Sequence, residues 1–152
     1  MTDVHCAIEI AAPPARVWDV VMNPRRLADW VTIHRRLGDA PERLERGSTF
    51  EQTLSLRGAH LHVEWTVVAI DPPHRAVWEG RGPAHSHATI TYELRAEGED
   101  ATRFEYTNEF KAPGGPLGAV AGRVLVGGLS HREAQRSLLR LKQVIENEKS
   151  RK

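Results

Sequence analysis

The sequence has few of the features that would assign it to a secreted, membrane-bound or disulfide-rich class. It contains one cysteine, Cys6, so it cannot form an internal disulfide and suits a reducing compartment. Its longest apolar run, residues 117–129, contains Arg123 and is shorter than the roughly 20 residues that span a bilayer. The first ten residues lack the basic and apolar regions of a secretory signal. We therefore expect a cytoplasmic protein without stable membrane insertion.

Charge is balanced, and this argues against a general attraction to nucleic acid. Lysine and arginine together number 21 and acidic residues 20, so the formal net charge is +1 with both signs mixed along the chain. Arg132, Arg136 and Arg140 recur at helical spacing, but nearby acidic residues favour a solvated helix face. The sequence has no glycine-rich phosphate loop, nucleophile elbow or dinucleotide fingerprint. We expect no nucleic-acid partner.

Length and hydrophobic pattern indicate a single α+β domain. The chain of 152 residues is long enough for one buried core, and we assign residues 1–149 to one domain and 150–152 to a charged tail. Apolar residues alternate along residues 4–10, as in a half-buried strand. Prolines then open two short helical segments. From residue 47 to residue 111 a period of two with regular turn signals predicts a meander of antiparallel strands.

The inward faces of these strands are apolar, so another element of the fold has to shield them from water. A break in the alternation at Val67–Val68 predicts a bulge in one of them. The remaining long helical pattern is C-terminal, and its apolar positions recur at three- and four-residue spacing from Leu117 to Ile145. Large residues lie at both ends of this pattern, whereas its middle consists of glycine, histidine and alanine. Because such a helix cannot fill the space above a curved sheet, the sequence predicts a cavity.

Glycines are concentrated where this helix would begin. Six of the twelve glycines lie within residues 114–128, and each costs a helix about 1 kcal/mol relative to alanine. Gly127–Gly128 precedes Ser130 and Glu133, which have the spacing of a capping box. We therefore predict a kink or break at Gly127–Gly128, with a stronger helix restarting near His131.

The order of elements resembles the START-like (SRPBCC) superfamily, which includes the plant pollen-allergen fold. The resemblance is carried by PPARVWDVVMNPRRLADW, VVAIDPPHRAVWEG, ATITYEL and LLRLKQVIE, and it is greatest for the polyketide cyclase and dehydrase branch. It implies a helix-grip fold, in which a seven-stranded antiparallel sheet wraps around a long C-terminal helix, with two short helices after the first strand. Periodicity accounts for six strands, and the seventh would come from VTIHRRL, residues 31–37.

A second likeness involves mainly the middle of the chain. The segments DWVTIHRRL, RGSTFEQTLSLRG, VEWTVVAIDPP and APGGPLGAVAG are similar to an actinobacterial subgroup in which one mycobacterial member is described as the toxin of a toxin–antitoxin pair. This resemblance implies a growth-inhibiting toxin with an antitoxin protein as its partner. A small antitoxin-like reading frame beside the gene would favour that role, whereas harmless overexpression without such a neighbour would count against it.

The superfamily resemblance implies an internal pocket for a small hydrophobic ligand of lipid, isoprenoid or polyketide type, and no cofactor. Aromatic side chains would supply apolar area and a few polar groups would orient the ligand. Asp29 and His34 are expected near the pocket mouth. In a simpler interpretation, each tyrosine hydroxyl reaches the rim and each amide pairs with backbone. The predicted ligand-binding residues are Trp30, Phe50, Gln52, Trp65, Trp78, Tyr92, Phe104, Tyr106, Asn108, Val124, Gly128 and His131.

The alternative function is enzymatic, a cyclase or dehydratase that uses His131, Tyr92 or Tyr106 as acid or base. His131 is predicted on the sheet-facing side of the C-terminal helix, where a neutral imidazole could move protons near a ligand. The sequence pattern places no carboxylate on that face to orient the ring. A pH-dependent turnover that His131→Ala abolishes without changing ligand affinity would distinguish an enzyme from a binding protein.

Two histidine pairs, His60 with His62 and His85 with His87, raise the question of a metal site. Residues two apart on a strand share a face, but the alternation places both pairs on the polar outer face. The strand around Trp78 would separate them by about 10 Å, which is too far for one ion. We expect no metal site.

Overall fold

The structure is a computed structural model that describes residues 2–56, 58–82, 86–111 and 131–150. The helical segments are α1 (Pro14–Val21), a 3-10 turn (Pro24–Arg26), α2 (Leu27–Trp30) and α3 (His131–Ser150). The strands are β1 (Thr2–Ile10), β2 (His34–Leu37), β3 (Thr49–Leu56), β4 (Ala59–Asp71), β5 (Arg75–Arg81), β6 (His87–Ala96) and β7 (Thr102–Lys111). None of the described helices is long and apolar enough to cross a membrane. Val124, Gly128, the predicted break at Gly127–Gly128 and His85 lie outside the described residues.

The seven strands form one antiparallel sheet. Their order is β1-β7-β6-β5-β4-β3-β2, so β2 to β7 form a meander and the first strand of the chain pairs with the last. The register of β1 and β7 pairs Thr2 with Phe110 and Ile10 with Thr102. This topology, with two short helices after β1 and the long helix α3 at the C-terminal end, confirms the predicted α+β helix-grip fold. The seventh strand, β2, lies within residues 31–37 as predicted.

The strand faces follow the alternation in the sequence. Pairing between β4 and β5 shifts register between Val67 and Ala69, which confirms the predicted bulge. Because successive side chains point to opposite faces, one face of the sheet collects the apolar residues and the other stays wet. The buried residues of β6 and β7 include Ile90, Tyr92, Leu94, Phe104, Tyr106, Asn108 and Phe110.

Helix α3 covers part of the apolar face with large side chains. Leu138, Leu141 and Ile145 are buried in the main core, whereas Ala134, one turn before Leu138, is half-buried. His131 is the first residue of α3, and its side chain is exposed. The predicted sheet-facing position of His131 is therefore wrong, because the helix buries its apolar face only from its second turn onward.

Polar contacts fix the C-terminal half of α3 over α1 and β1. Glu148 accepts hydrogen bonds from Arg26 at 2.5 Å and Arg16 at 3.4 Å, and Lys142 donates to the backbone oxygen of Glu9 at 3.0 Å. Ion pairs that solvent still reaches, as these partly buried ones are, each contribute little to stability. Together they set the position of the helix relative to the sheet.

We expect Leu141→Ala to reduce the free energy of unfolding by about 2–5 kcal/mol, because it removes a fully buried side chain and leaves a space that the sheet cannot close. Leu139→Ala is the matched control on the same helix, since Leu139 is 49% exposed, and should change stability by no more than about 0.5 kcal/mol. Urea denaturation of both variants measures the difference. Equal destabilisation by the two substitutions would contradict the described packing of α3.

Candidate functional site

A cavity of about 50 Å³, here called cavity 1, lies between the sheet and helices α2 and α3. Glu133, Ala134, Ser137 and Leu138 line it from α3, so the small residue Ala134 contributes to its wall one turn before Leu138. Ala134 is one of the residues from which the sequence predicted a cavity, whereas His131 is exposed and the glycines lie outside the described residues. Six of its other lining residues are Trp30, Trp65, Trp78, Tyr92, Tyr106 and Asn108.

A second cavity of about 60 Å³, here called cavity 2, lies beside the first. Leu54, Val63 and Phe110 are among its apolar lining residues. The two cavities share several wall residues, so they are neighbouring spaces separated by side chains. The shared residues are Ile33, Gln52, Trp65, Ile90, Tyr106 and Asn108.

Gly80 on β5 makes room for the largest of these shared side chains. A Cβ atom at this position would lie 2.6 Å from the Trp65 ring and 2.9 Å from Val63. Such distances are shorter than real Cβ contacts, so the indole would have to move. The absence of a side chain at residue 80 therefore sets the position of Trp65 between the two cavities.

The aromatic residues of cavity 1 form a connected cluster centred on Tyr92. The Tyr92 ring centroid lies 5.1 Å from that of Trp78 and 6.1 Å from that of Trp30. Phe50 packs edge-on against Trp78 at 5.2 Å, and Phe104 contacts Tyr92 at 5.4 Å. Phe50 and Phe104 are not among the lining residues of either cavity; they support the rings that are.

Gln52 links the wall of the cavities to β2, the strand for which periodicity alone did not account. Its side-chain oxygen accepts a hydrogen bond from Trp65 Nε1 at 2.8 Å, and its Nε2 donates to Nδ1 of His34 on β2 at 2.9 Å. Burial lowers the pKa of His34 below its usual value of 6.5, so the imidazole is neutral and its Nδ1 can accept. This chain of contacts fixes both the glutamine and the indole.

Three buried polar atoms of cavity 1 residues have no hydrogen-bond partner in the described part of the protein. They are Nε1 of Trp30, Nε1 of Trp78 and Oδ1 of Asn108. The amide nitrogen of Asn108 is used, since it donates to the Tyr106 hydroxyl at 3.2 Å. Buried polar groups are normally paired, so three unpaired atoms around one cavity indicate a place where a bound molecule can pair with them.

A polar cluster borders the same cavity where α2 ends and α3 begins. The Thr32 hydroxyl donates to Glu133 Oε2 at 2.6 Å, and the Thr32 backbone N–H donates to Ser137 Oγ at 3.1 Å. Sequence reasoning missed Thr32 and Ser137 as wall residues and interpreted Glu133 as part of a cap. Glu133 and Ser137 lie four residues apart and therefore share one face of the helix, and this spacing was the signal in the sequence that could have identified them as neighbours.

The two buried tyrosines are poorly suited to act as bases. Burial raises the pKa of Tyr92 well above its usual value, and burial raises that of Tyr106 to about 12. Both phenols therefore keep their protons at neutral pH. They can donate hydrogen bonds, whereas a phenolate at either position would be strongly disfavoured.

The described histidines of the predicted pairs lie on the outer face. His60, His62 and His87 are exposed, and β5 lies between the strands that carry them. Within the described residues there is no group of three or more histidine, cysteine or acidic side chains that could hold a metal ion.

A seven-stranded antiparallel sheet that packs against a C-terminal helix, with an apolar cavity between the two, is the arrangement of the helix-grip class of ligand-binding folds. Residues 1–146 match the family model described as "Polyketide cyclase / dehydrase and lipid transport". The chain belongs to this family. The family implies binding of hydrophobic molecules, and the aromatic cavity agrees with it.

The individual proteins that this chain resembles have low sequence identity to it. The chain is similar to the uncharacterized protein Rv1546 of Mycobacterium tuberculosis, with 27% identity over 129 residues that cover 84% of this chain and 90% of that protein. It is also similar to the toxin Rv0910 of the same organism, with 29% identity over 83 residues, 54% of this chain and 58% of that one. Among solved structures, the Zhui aromatase/cyclase from Streptomyces sp. R1128 superposes with a TM-score of 0.78 at 16% identity, covering 95% and 93% of the two chains. At this identity the match shows the fold alone.

The lowered pKa of His34 predicts a pH dependence of stability. The folded chain binds a proton at His34 less readily than the unfolded chain does. The contribution of His34 to the free energy of unfolding is therefore constant above pH 6.5 and declines as the pH falls below that value. We expect the melting temperature of the wild type to fall relative to that of His34→Asn, whose amide oxygen still accepts from Gln52, between about pH 8 and pH 5. Melting temperatures of the two proteins that change in parallel across this range would contradict the assignment of a half-buried neutral imidazole.

Proposed function

We propose that this protein reversibly binds a small hydrophobic ligand, of the lipid, isoprenoid or polyketide type, in the space formed by cavities 1 and 2. The observation that carries the proposal is the wall itself, in which aromatic rings packed edge-on or tilted against one another occur together with a few buried polar atoms between the sheet and α3. Small-molecule sites typically combine apolar area with a few well-placed hydrogen-bonding groups. Family membership supports the same conclusion.

Binding would be driven by removing apolar ligand surface from water, at about 25 cal/mol per Å² buried. Trp30, Trp65 and Trp78 supply most of the flat apolar area, and Tyr106 and Asn108 supply polar contacts at the shared wall. These residues were predicted as ligand-binding from the sequence, and their role in binding is part of this proposal. Val124 and Gly128, also predicted, lie outside the described residues.

The size of the cavities favours a compact ligand. At about 50 and 60 Å³, each is well below the roughly 300–1,000 Å³ of pockets for drug-sized molecules. Even one aromatic ring, for which an engineered cavity of about 150 Å³ suffices, requires the two spaces to merge. The shared aliphatic side chains Ile33 and Ile90 are the ones that would move, since Gln52 and Asn108 are held by hydrogen bonds.

Catalysis by His131, Tyr92 or Tyr106 is the second candidate, supported by the family description, which names cyclases and dehydrases. The described wall gives it less support than plain binding. His131 is exposed and lines neither cavity, and both tyrosines hold their protons tightly. A proton-transfer cycle would need a group with a pKa near the working pH.

A toxin role is the third candidate, and it would bring an antitoxin protein as partner. The similarity to the toxin Rv0910 supports it. That similarity covers 54% of this chain, less than the family match does. Growth of cells that overproduce the protein without an antitoxin gene distinguishes this role from harmless ligand binding.

We expect native mass spectrometry of the protein purified from its own host to show a bound apolar molecule that is released on denaturation. Ala134→Leu should reduce the bound fraction severalfold, because the larger side chain enters cavity 1 from α3. Gln135→Leu is the matched control, since residue 135 is exposed, and should leave the bound fraction unchanged. If the wild type carries no such molecule, or if Ala134→Leu carries as much as Gln135→Leu, the proposed site is wrong.

A further inference from the structure

The three unpaired atoms of cavity 1 define what kind of ligand fits. We propose that the cavity selects a neutral, compact ring compound bearing a hydroxyl group, which Asn108 and the indole N–H groups of Trp30 and Trp78 recognise. This inference rests on the proposed binding function and narrows its ligand class.

The three residues that carry the unpaired atoms all line cavity 1. Trp30 and Trp78 both pack against Tyr92, with ring centroids 6.1 Å and 5.1 Å from it, so the two indoles flank the same ring. Asn108 lines the same cavity, is 3% exposed, and has its amide nitrogen committed to the Tyr106 hydroxyl. Its oxygen is the amide atom without any hydrogen-bond partner in the described part of the protein.

The donor and acceptor pattern specifies a hydroxyl group. An indole N–H can only donate, and an amide oxygen can only accept. A ligand hydroxyl does both, so a single group can donate to Asn108 Oδ1 and accept from one of the indoles. A hydrocarbon ring of the same size would fill the space but leave all three protein atoms unpaired, which is costly in a buried site.

The charged side chains in the walls of the cavities indicate that the ligand is neutral. Neither cavity is lined by a lysine or arginine within the described residues, and the acidic group that lines cavity 1 is Glu133. A carboxylate or phosphate in this space would lose its hydration without gaining an opposite charge. Free fatty acids and phosphorylated compounds are therefore disfavoured relative to alcohols and phenols.

Three probes of similar size separate these possibilities: toluene, phenol and benzoate. Titrations followed by the indole N–H resonances in ¹H–¹⁵N spectra report directly on the proposed contacts. Phenol should bind about tenfold more tightly than toluene, as expected for one added hydrogen bond in a buried site, and should shift the Trp30 and Trp78 signals. The Trp18 signal is an internal reference, because Trp18 lines neither cavity. Benzoate should not bind detectably.

Two variants test the assignment to Asn108. Asn108→Leu keeps the approximate size of the side chain but removes the acceptor, and should reduce the preference for phenol over toluene to near unity. Gln135→Leu is the matched control, since it is the same kind of amide-to-leucine change at an exposed residue that lines neither cavity, and it should preserve the preference. The wild-type comparison of the three probes stands even if Asn108→Leu does not fold.

The outcomes distinguish failure of this inference from failure of the proposed function. Equal affinities of the wild type for toluene and phenol, or tighter binding of benzoate, would overturn hydroxyl recognition while leaving a ligand-binding cavity in place. Absence of binding by all three probes would overturn both the inference and the binding of compact ligands on which it rests.

Discussion

The structure depends on how α3 covers the apolar face of the sheet. Leu138, Leu141 and Ile145 fill the space over one part of that face and bury it completely. One turn before Leu138 the helix carries Ala134, and within the described residues a cavity lies between this part of the helix and the sheet. The gradient from large to small side chains along one helix thus produces both the core that stabilises the fold and the cavity beside it.

The wall of this cavity contains groups that a protein core would normally avoid. Trp30 and Trp78 contribute indole N–H groups without partners, and Asn108 contributes an unpaired amide oxygen. Other polar side chains nearby are fully used: Gln52 bonds to both Trp65 and His34. The unpaired atoms give this wall a hydrogen-bonding capacity that a bound molecule would use under the proposed function.

Much of the fold could be predicted because its cause is local. Strict alternation along β6 and β7 identified the inward residues, and the broken alternation at Val67–Val68 identified the bulge. The predicted aromatic and amide wall residues come together because strands in one sheet bring every second residue to the same face. Their contribution to ligand binding stays a prediction.

The remaining features could not be predicted because they depend on contacts between distant segments. Thr32 contacts Glu133 and Ser137, which are more than one hundred residues away in the sequence, so no local pattern predicts the cluster. His131 has the spacing of the apolar helix face, but it is the first residue of α3 and its side chain is exposed. Periodicity specifies the direction of a side chain around a helix axis, not where along the axis packing begins.

The central claim is that the space under the N-terminal half of α3 is a ligand site. The most direct measurement is a crystal structure of the protein soaked with 4-bromophenol, with the halogen located by its anomalous scattering. The account predicts one bromine position within the merged cavities, with the phenol oxygen in hydrogen-bonding distance of Asn108 and of the indole nitrogen of Trp30 or Trp78. Bromine sites confined to the outer surface, with the interior unchanged, would contradict it.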